Sequence, residues 1–264
     1  METRTTRVAL TVWSALVVLF LWFPLALIIL YAFNKSNVES WPIHGFTTHW
    51  FHAAWNSEVR AALWLSVRVG LVTTAIALVL GSMAAFGVAR FRFFGREAVS
   101  FLFVLPIALP GIVTGMALNS FFIAGHITVS MWTIVIGHAT FCVVIVYNNV
   151  LARLRRTSPS LLEASQDLGA DGWQTFRFVT FPVLSTALIS GALLAFALSF
   201  DEVIVTLFTA GAQNTLPIWI LGKIRLGQQL PEVNAVVCAV ILLTVIPVAI
   251  AQRLTQDSGL LRRR

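Results

Sequence analysis

Residues 8–33 read VALTVWSALVVLFLWFPLALIILYAF, an apolar run without one charged side chain. Comparable runs fall at about 61–89, 98–123, 128–150, 184–210 and 233–252. A bilayer core about 30 Å thick is crossed by about 20 apolar residues in a helix. Backbone groups find no water there, so segments of this length must satisfy their own hydrogen bonds as helices. The shorter, alternating segments of a membrane barrel are absent. Only 11% of the residues are charged, against about 25% in a soluble domain. The chain is therefore expected to be an all-α membrane protein, a single domain over 1–264 with six transmembrane helices.

The first run is too long for a cleavable signal, whose apolar core is about 7–15 residues. It reads as a retained anchor, and Trp41, Trp50 and Trp55 in the following loop suit a membrane interface. Cys142 and Cys238 both lie inside apolar runs. Neither a disulfide framework nor a metal site, which needs clustered ligands, is expected from them.

The net charge of +7 does not call for nucleic acid. One set of loops and ends carries Arg4, Arg7, Arg90, Arg92, Arg96, Arg153, Arg155, Arg156, Arg177, Arg253, Arg262, Arg263 and Arg264. The opposite set has Lys35, Arg60, Lys223 and Arg225. Basic residues stay on the cytoplasmic side, which puts both termini and the loop 151–183 in the cytoplasm.

Two spans carry unusual residues. The third contains LPIALPGIVTG, with Pro106, Pro110, Gly111 and Gly115. Each proline removes a helical hydrogen bond. The result is either a kinked helix or a break lining a protected path, where irregular backbone is tolerated. His138, in the fourth span, reads as a neutral hydrogen-bonder between helices or as a proton relay.

The loop holds EASQDLGADGWQTFRFVTFP at 163–182. Ser158 with Pro159 can open one short helix, and Ser160 and Glu163 have capping-box spacing. Gly169 provides a left-handed stop. Asp171 and Gln174 can open a second helix, and Pro182 marks the return towards the membrane. Leu161, Leu162, Ser165 and Leu168 share one face, as do Trp173, Phe176 and Val179. Glu163, Asp167 and Asp171 suit an anionic leaflet poorly, so the two helices read as a knob for a protein partner.

The loop resembles the EAA motif of binding-protein-dependent ABC importer permeases, here Glu163-Ala164-Ser165, Gly169, Val179 and Phe181-Pro182. Ser165 stands for the usual second Ala, and Phe181 for the usual Leu. GFTTHWF (45–51), LEASQDLGA (162–170), FALSFDEVIV (196–205) and PEVNAV (231–236) extend the likeness to the C-type subunits of spermidine/putrescine importers. The resemblance implies the type I ABC importer permease fold in a bacterial inner membrane, without enzymatic activity of its own. It implies three kinds of partner: a second permease, a pair of ATP-binding subunits and an extracytoplasmic solute-binding protein. ATP and Mg would be bound by the ATPase, and Glu163, Ala164, Ser165, Asp167, Leu168, Gly169, Ala170, Phe176 and Pro182 would form the coupling contact. The chain has no G-x-x-x-x-G-K-[ST] run, so it lacks a phosphate cradle itself.

Asp201 and Glu202 lie within the fifth run, where an acid costs about 2.5–3.5 kcal/mol at a span centre. They either reach outer water, pairing with Lys223 or Arg225, or stabilise a small cationic solute in a path. Adjacent helix residues point about 100° apart, so Glu202 shares a face with Ser199, Thr206 and Thr209, and Asp201 with Leu198, Val205 and Phe208. Periodicity thus favours Glu202, whereas the resemblance ranks Asp201 slightly first. Phe200, Trp50, Pro110 and Gly111 complete the candidate path. Trp50 is either an interface anchor or an aromatic face for an ammonium group. Gly111 departs from spermidine-type subunits, which carry an acid at that place. The rival expectation is an ion-coupled carrier using Asp201, Glu202 and His138; it leaves the 163–182 knob without a role.

Overall fold

The computed structural model describes residues 4–91, 93–227 and 229–260. Arg92 and Arg262–Arg264 of the charge pattern lie outside these. The described chain is helical, with no strand and one isolated antiparallel bridge, Asn34 to Phe46. In order, the helices are α1 (Arg4–Ala32), α2 (His49–Ala54), α3 (Ser57–Arg90), α4 (Arg96–Ala108), α5 (Gly111–Ala124) and α6 (Met131–Arg156). Then come α7 (Pro159–Asp167), α8 (Gly172–Thr175), a π-helical turn (Phe176–Thr180), α9 (Phe181–Asp201), α10 (Ile204–Thr209), α11 (Leu216–Leu226) and α12 (Leu230–Leu260). Among the described residues, four helical stretches are long and apolar enough to cross a membrane: Thr6–Ala32, Ser57–Arg90, Met131–Arg156 and Gly172–Asp201. The α4–α5 pair makes a fifth if counted as one span, and the apolar helix Leu230–Val245 is shorter. The chain is a multi-pass membrane protein.

The helices group into two compact units. One comprises residues 1–60 and 220–250. In it the loop after α1 is fixed by its own backbone: Lys35 donates to the Gly45 carbonyl at 3.0 Å and Thr47 to Phe33 at 2.8 Å. Phe33 packs on Phe51. Asn56 donates to the Glu232 carboxylate at 2.9 Å, and Lys223 pairs with Glu58 at 3.5 Å.

The second unit, residues 61–219 with 251–264, carries the candidate coupling and path residues. Its core runs along α6, where Cys142, Val146, Tyr147 and Val150 are buried with Ala77 and Ala85 of α3 and with Leu184 and Ala195 of α9. Small residues allow close approach: a Cβ on Gly81 would lie 2.7 Å from the Val143 carbonyl of α6. Both cysteines are buried and unpaired.

Two of the expected spans are broken in this unit. The third run is two helices meeting at 101°. Leu109 is extended (φ −79°, ψ 139°) and Pro110 precedes α5, a turn far sharper than a proline kink. The fifth run stops at Asp201; Glu202 is extended (φ −71°, ψ 117°), and a new short helix starts at Ile204. The face assignment made for an unbroken fifth helix therefore does not carry across residue 202.

Candidate functional sites: a coupling knob and two facing breaks

The knob is built from local signals. Ser158 precedes α7 but caps nothing with its side chain; its hydroxyl meets that of Ser160 at 2.7 Å. The capping box expected from Ser160 and Glu163 is absent, because α7 already starts at Pro159 and Ser160 lies inside it. The far end closes as a Schellman turn. Ala170 donates to the Ser165 carbonyl at 3.1 Å and Gly169 to Gln166 at 2.8 Å, with Gly169 at φ +83°. Asp171 then forms a complete capping box with Gln174, at 2.8 and 2.9 Å.

Beyond α8 the chain does not turn back into a separate span. It runs through the π turn directly into α9. Pro182 has no N–H to give, and immediately before it Phe181 donates to Phe176, five residues back. The wide turn absorbs the missing bond, as π-bulges do, so Pro182 sits in the first turn of α9 and not at a loop boundary. An aromatic stack braces this elbow: Phe176 lies 5.7 Å from Trp173 and 6.3 Å from Phe86 and Phe181.

The knob presents an open surface. Glu163, Ala164, Asp167, Gly169 and Asp171 are exposed, and Ala170 is half-buried. Leu168 is 88% and Trp173 70% exposed, much apolar surface for residues on a polar loop. Ser165 faces inward, donates to the Leu162 carbonyl at 3.1 Å and meets Thr175 at 2.9 Å. Glu163 also borders a cleft of about 350 Å³ shared with Arg90, Gln166 and Thr180.

The two breaks face one another. A Cβ on Gly111 would lie 3.6 Å from Ile204, and one on Gly115 only 2.6 Å from the Phe208 ring. Asn119 of α5 donates to the Phe208 carbonyl at 2.7 Å, and the Thr133 hydroxyl of α6 is shared between the Thr209 carbonyl at 2.8 Å and the Ser130 carbonyl at 2.7 Å. These bonds satisfy C-terminal carbonyls of α10 that its short length leaves open. Between the breaks lies a pocket of about 290 Å³ with Glu202, Gly111, Thr114, Pro106, Phe141 and Leu198 on its walls. Glu202 is half-buried there, and its carboxylate accepts the Val205 N–H at 2.9 Å. Asp201 is exposed, and Phe200 stacks loosely on Phe196.

The other candidates are not on the walls of this pocket. Trp50 belongs to the other unit, is 8% exposed, and gives its indole N–H to the Asn34 carbonyl at 2.7 Å. Pro110 shapes the break ahead of α5. His138 is buried, with Nδ1 2.8 Å from Ser199 Oγ and Nε2 2.8 Å from Thr206 Oγ1. Thr175, Asn119 and Thr133 were not singled out from the sequence, and Ser199 and Thr206 were named only as sharing a face with Glu202. Their signal is a polar side chain in or beside an apolar run, which periodicity alone does not pair with a partner.

Residues 77–257 match the family described as binding-protein-dependent transport system inner membrane component. The chain is similar to the spermidine/putrescine transport system permease protein PotC of Haemophilus influenzae, 31% identical over 91% of this chain and 93% of the relative. It is similar to the putrescine transport system permease protein PotI of Escherichia coli K12, 34% identical over 82% and 79%. In fold it resembles a chain of a bacterial ABC transporter involved in the import of the acidic polysaccharide alginate. That match has a TM-score of 0.63 at 16% identity and covers 97% of this chain and 98% of that one.

Proposed function

Starting from the chain's membership of the family of binding-protein-dependent transport system inner membrane components, we propose that it is the permease subunit of an ATP-driven importer for a putrescine- or spermidine-like polyamine. It spans the bacterial inner membrane six times with both termini in the cytoplasm and forms half of the translocation path. As a subunit of this family it is not an enzyme. ATP and Mg are held by a pair of partner ATPase chains. A second permease and an extracytoplasmic solute-binding protein complete the assembly.

The observation that carries the coupling role is the knob itself. A short helix, a left-handed glycine and a capped second helix are locked together, exposed, and continuous with a 30-residue helical stretch, Gly172–Asp201. A push on α7–α8 is transmitted along α9 because no loop intervenes to absorb it. Closure of the ATPases on ATP would move the knob and switch the spans from inward to outward access; hydrolysis would reset them. The polyamine substrate is supported by the likeness to the two polyamine permeases and by Glu202 on the pocket wall. Gly111 supplies no second acid there, which favours a short diamine over a long polycation. The ion-coupled alternative gains nothing from the relatives, and both ring nitrogens of His138 are already engaged.

The test is affinity purification of the tagged chain from its native membranes, with mass spectrometry of what accompanies it, beside uptake of labelled putrescine. Recovery of a P-loop ATPase and a second permease, with uptake that depends on ATP, is expected. A chain that purifies alone and supports uptake driven by an ion gradient would overturn the reading.

A further inference from the structure

The fifth run breaks at Glu202–Val203, although neither proline nor glycine stands there. Something outside the run must hold the two arms, and the hydrogen bonds around His138 identify it. Thr206 has one hydroxyl proton and gives it to the Glu202 carbonyl at 2.6 Å. Thr206 Oγ1 also lies 2.8 Å from the imidazole Nε2 of His138. The other ring nitrogen, Nδ1, lies 2.8 Å from the Ser199 hydroxyl. In either tautomer the ring bridges the Ser199 and Thr206 hydroxyls, and Thr206 reaches the Glu202 backbone. Ser199 lies on α9 before the break and Thr206 on α10 after it, while His138 stands on α6. One neutral ring thus pins both arms to a third helix.

The chain of bonds ends on the residue that borders the pocket. Its carbonyl is fixed by Thr206, and its carboxylate is drawn to the Val205 N–H at the start of α10. Gly137, beside the histidine, lets α10 come close; a Cβ there would lie 2.9 Å from Val205.

We infer that His138 is a positioning residue, which holds the break between α9 and α10 and so places the Glu202 carboxylate on the pocket wall. The inference rests on the reading of the chain as a polyamine permease for its functional consequence, but not for its structural one. His138→Phe suits the test because it leaves no orphan donor. Thr206 still has the Glu202 carbonyl, and the Ser199 hydroxyl is free to turn to a carbonyl of its own helix, as buried serines do. Thr206→Val cuts the same chain from the other end while keeping a β-branched side chain. His138→Gln, whose amide can reach Thr206, is the conservative variant.

Two readouts are made on the complete transporter in proteoliposomes. In uptake of labelled putrescine, His138→Phe and Thr206→Val each raise KM about five- to tenfold, the size of one lost hydrogen bond, with the maximal rate within about twofold. The double variant is no worse than either single, because both cut one chain, and His138→Gln recovers most of the affinity. In the second readout, spin labels at Leu194→Cys on α9 and Leu207→Cys on α10, with Cys142 and Cys238 replaced by alanine, give a single narrow distance. That distance broadens in His138→Phe and sharpens again in His138→Gln. An unchanged distance distribution in His138→Phe overturns the inference, as does a fall in maximal rate at constant KM. If the unaltered transporter takes up no putrescine, the substrate reading fails and the label distances alone decide the role of His138.

Discussion

Ser165 and Thr175 share a buried hydrogen bond of 2.9 Å that ties α7 to α8 across the Gly169 turn. Ser165 spends its own proton on the Leu162 carbonyl, so the Thr175 hydroxyl is the donor to it. Ser165 is also a position where this loop departs from the pattern it resembles, which has alanine there.

Removing one partner leaves the other buried without its bond. Ser165→Ala is expected to destabilise the knob by about 1–3 kcal/mol, whereas Ser165→Ala with Thr175→Val, which removes both polar groups, is expected to cost clearly less. Hydrogen exchange of the amides over 170–176 measures this. The single variant should exchange faster by about an order of magnitude and the double variant should recover. Equal rates in all three would show that the bond does not hold the two helices together.

Glu163 is exposed on α7 and makes no contribution to closing either end of that helix. Its replacement by alanine is therefore expected to leave the fold and the assembly intact. In proteoliposomes Glu163→Ala should keep ATP hydrolysis while uptake falls about tenfold or more, so that many ATP are spent per solute moved. The ratio of phosphate released to solute accumulated checks it. Uptake at the normal rate and ratio would remove Glu163 from the coupling contact.

Much of the knob was legible from sequence because its signals are local. Asp171 with Gln174 and the left-handed Gly169 act within four residues, and both stand where spacing puts them. Pro182 misled for a physical reason: a proline looks like a boundary, yet in the first turn of a helix its missing N–H is tolerated, and the preceding π turn carries the chain through. The fifth run hid its break because nothing in DEVIV breaks a helix by itself. The bonds that hold the segment after the break come from His138, Thr133 and Asn119 on other helices. Periodicity then assigned faces to Asp201 and Glu202 on a helix that ends at the first of them. The third run was readable as irregular from Pro106 and Pro110, but not the 101° turn, which depends on what packs into the bend.

The packing at that bend can be tested at Gly115. A methyl group there would lie 2.6 Å from the Phe208 ring and 3.3 Å from its Cβ, too near the backbone for the ring simply to swing away. Gly115→Ala should cost about 1–3 kcal/mol through overpacking and disturb the Asn119 bond to the Phe208 carbonyl. The melting temperature of the purified complex should fall. Adding Phe208→Leu, which removes ring volume at the contact, should restore part of it. A Gly115→Ala complex as stable as the parent would mean that α5 and α10 are not in close contact.

Asp201 and Glu202 are neighbours in sequence with different surroundings, and their variants should separate. Glu202 stands on the pocket wall and accepts the Val205 N–H at 2.9 Å, whereas Asp201 is exposed at the end of α9. Glu202→Gln keeps an oxygen for Val205 but removes the charge, so assembly should be normal while KM for a cationic solute rises about tenfold or more. Glu202→Ala removes the charge and the cap together and should lose about 1 kcal/mol of stability in addition, the ordinary size of a lost helix cap. Asp201→Asn, at a residue that is not on the pocket wall, should raise KM by less than about threefold. Uptake kinetics of putrescine across the three variants decide the ranking. A larger effect from Asp201→Asn than from Glu202→Gln would move the cation from the pocket between the breaks to the exposed end of α9.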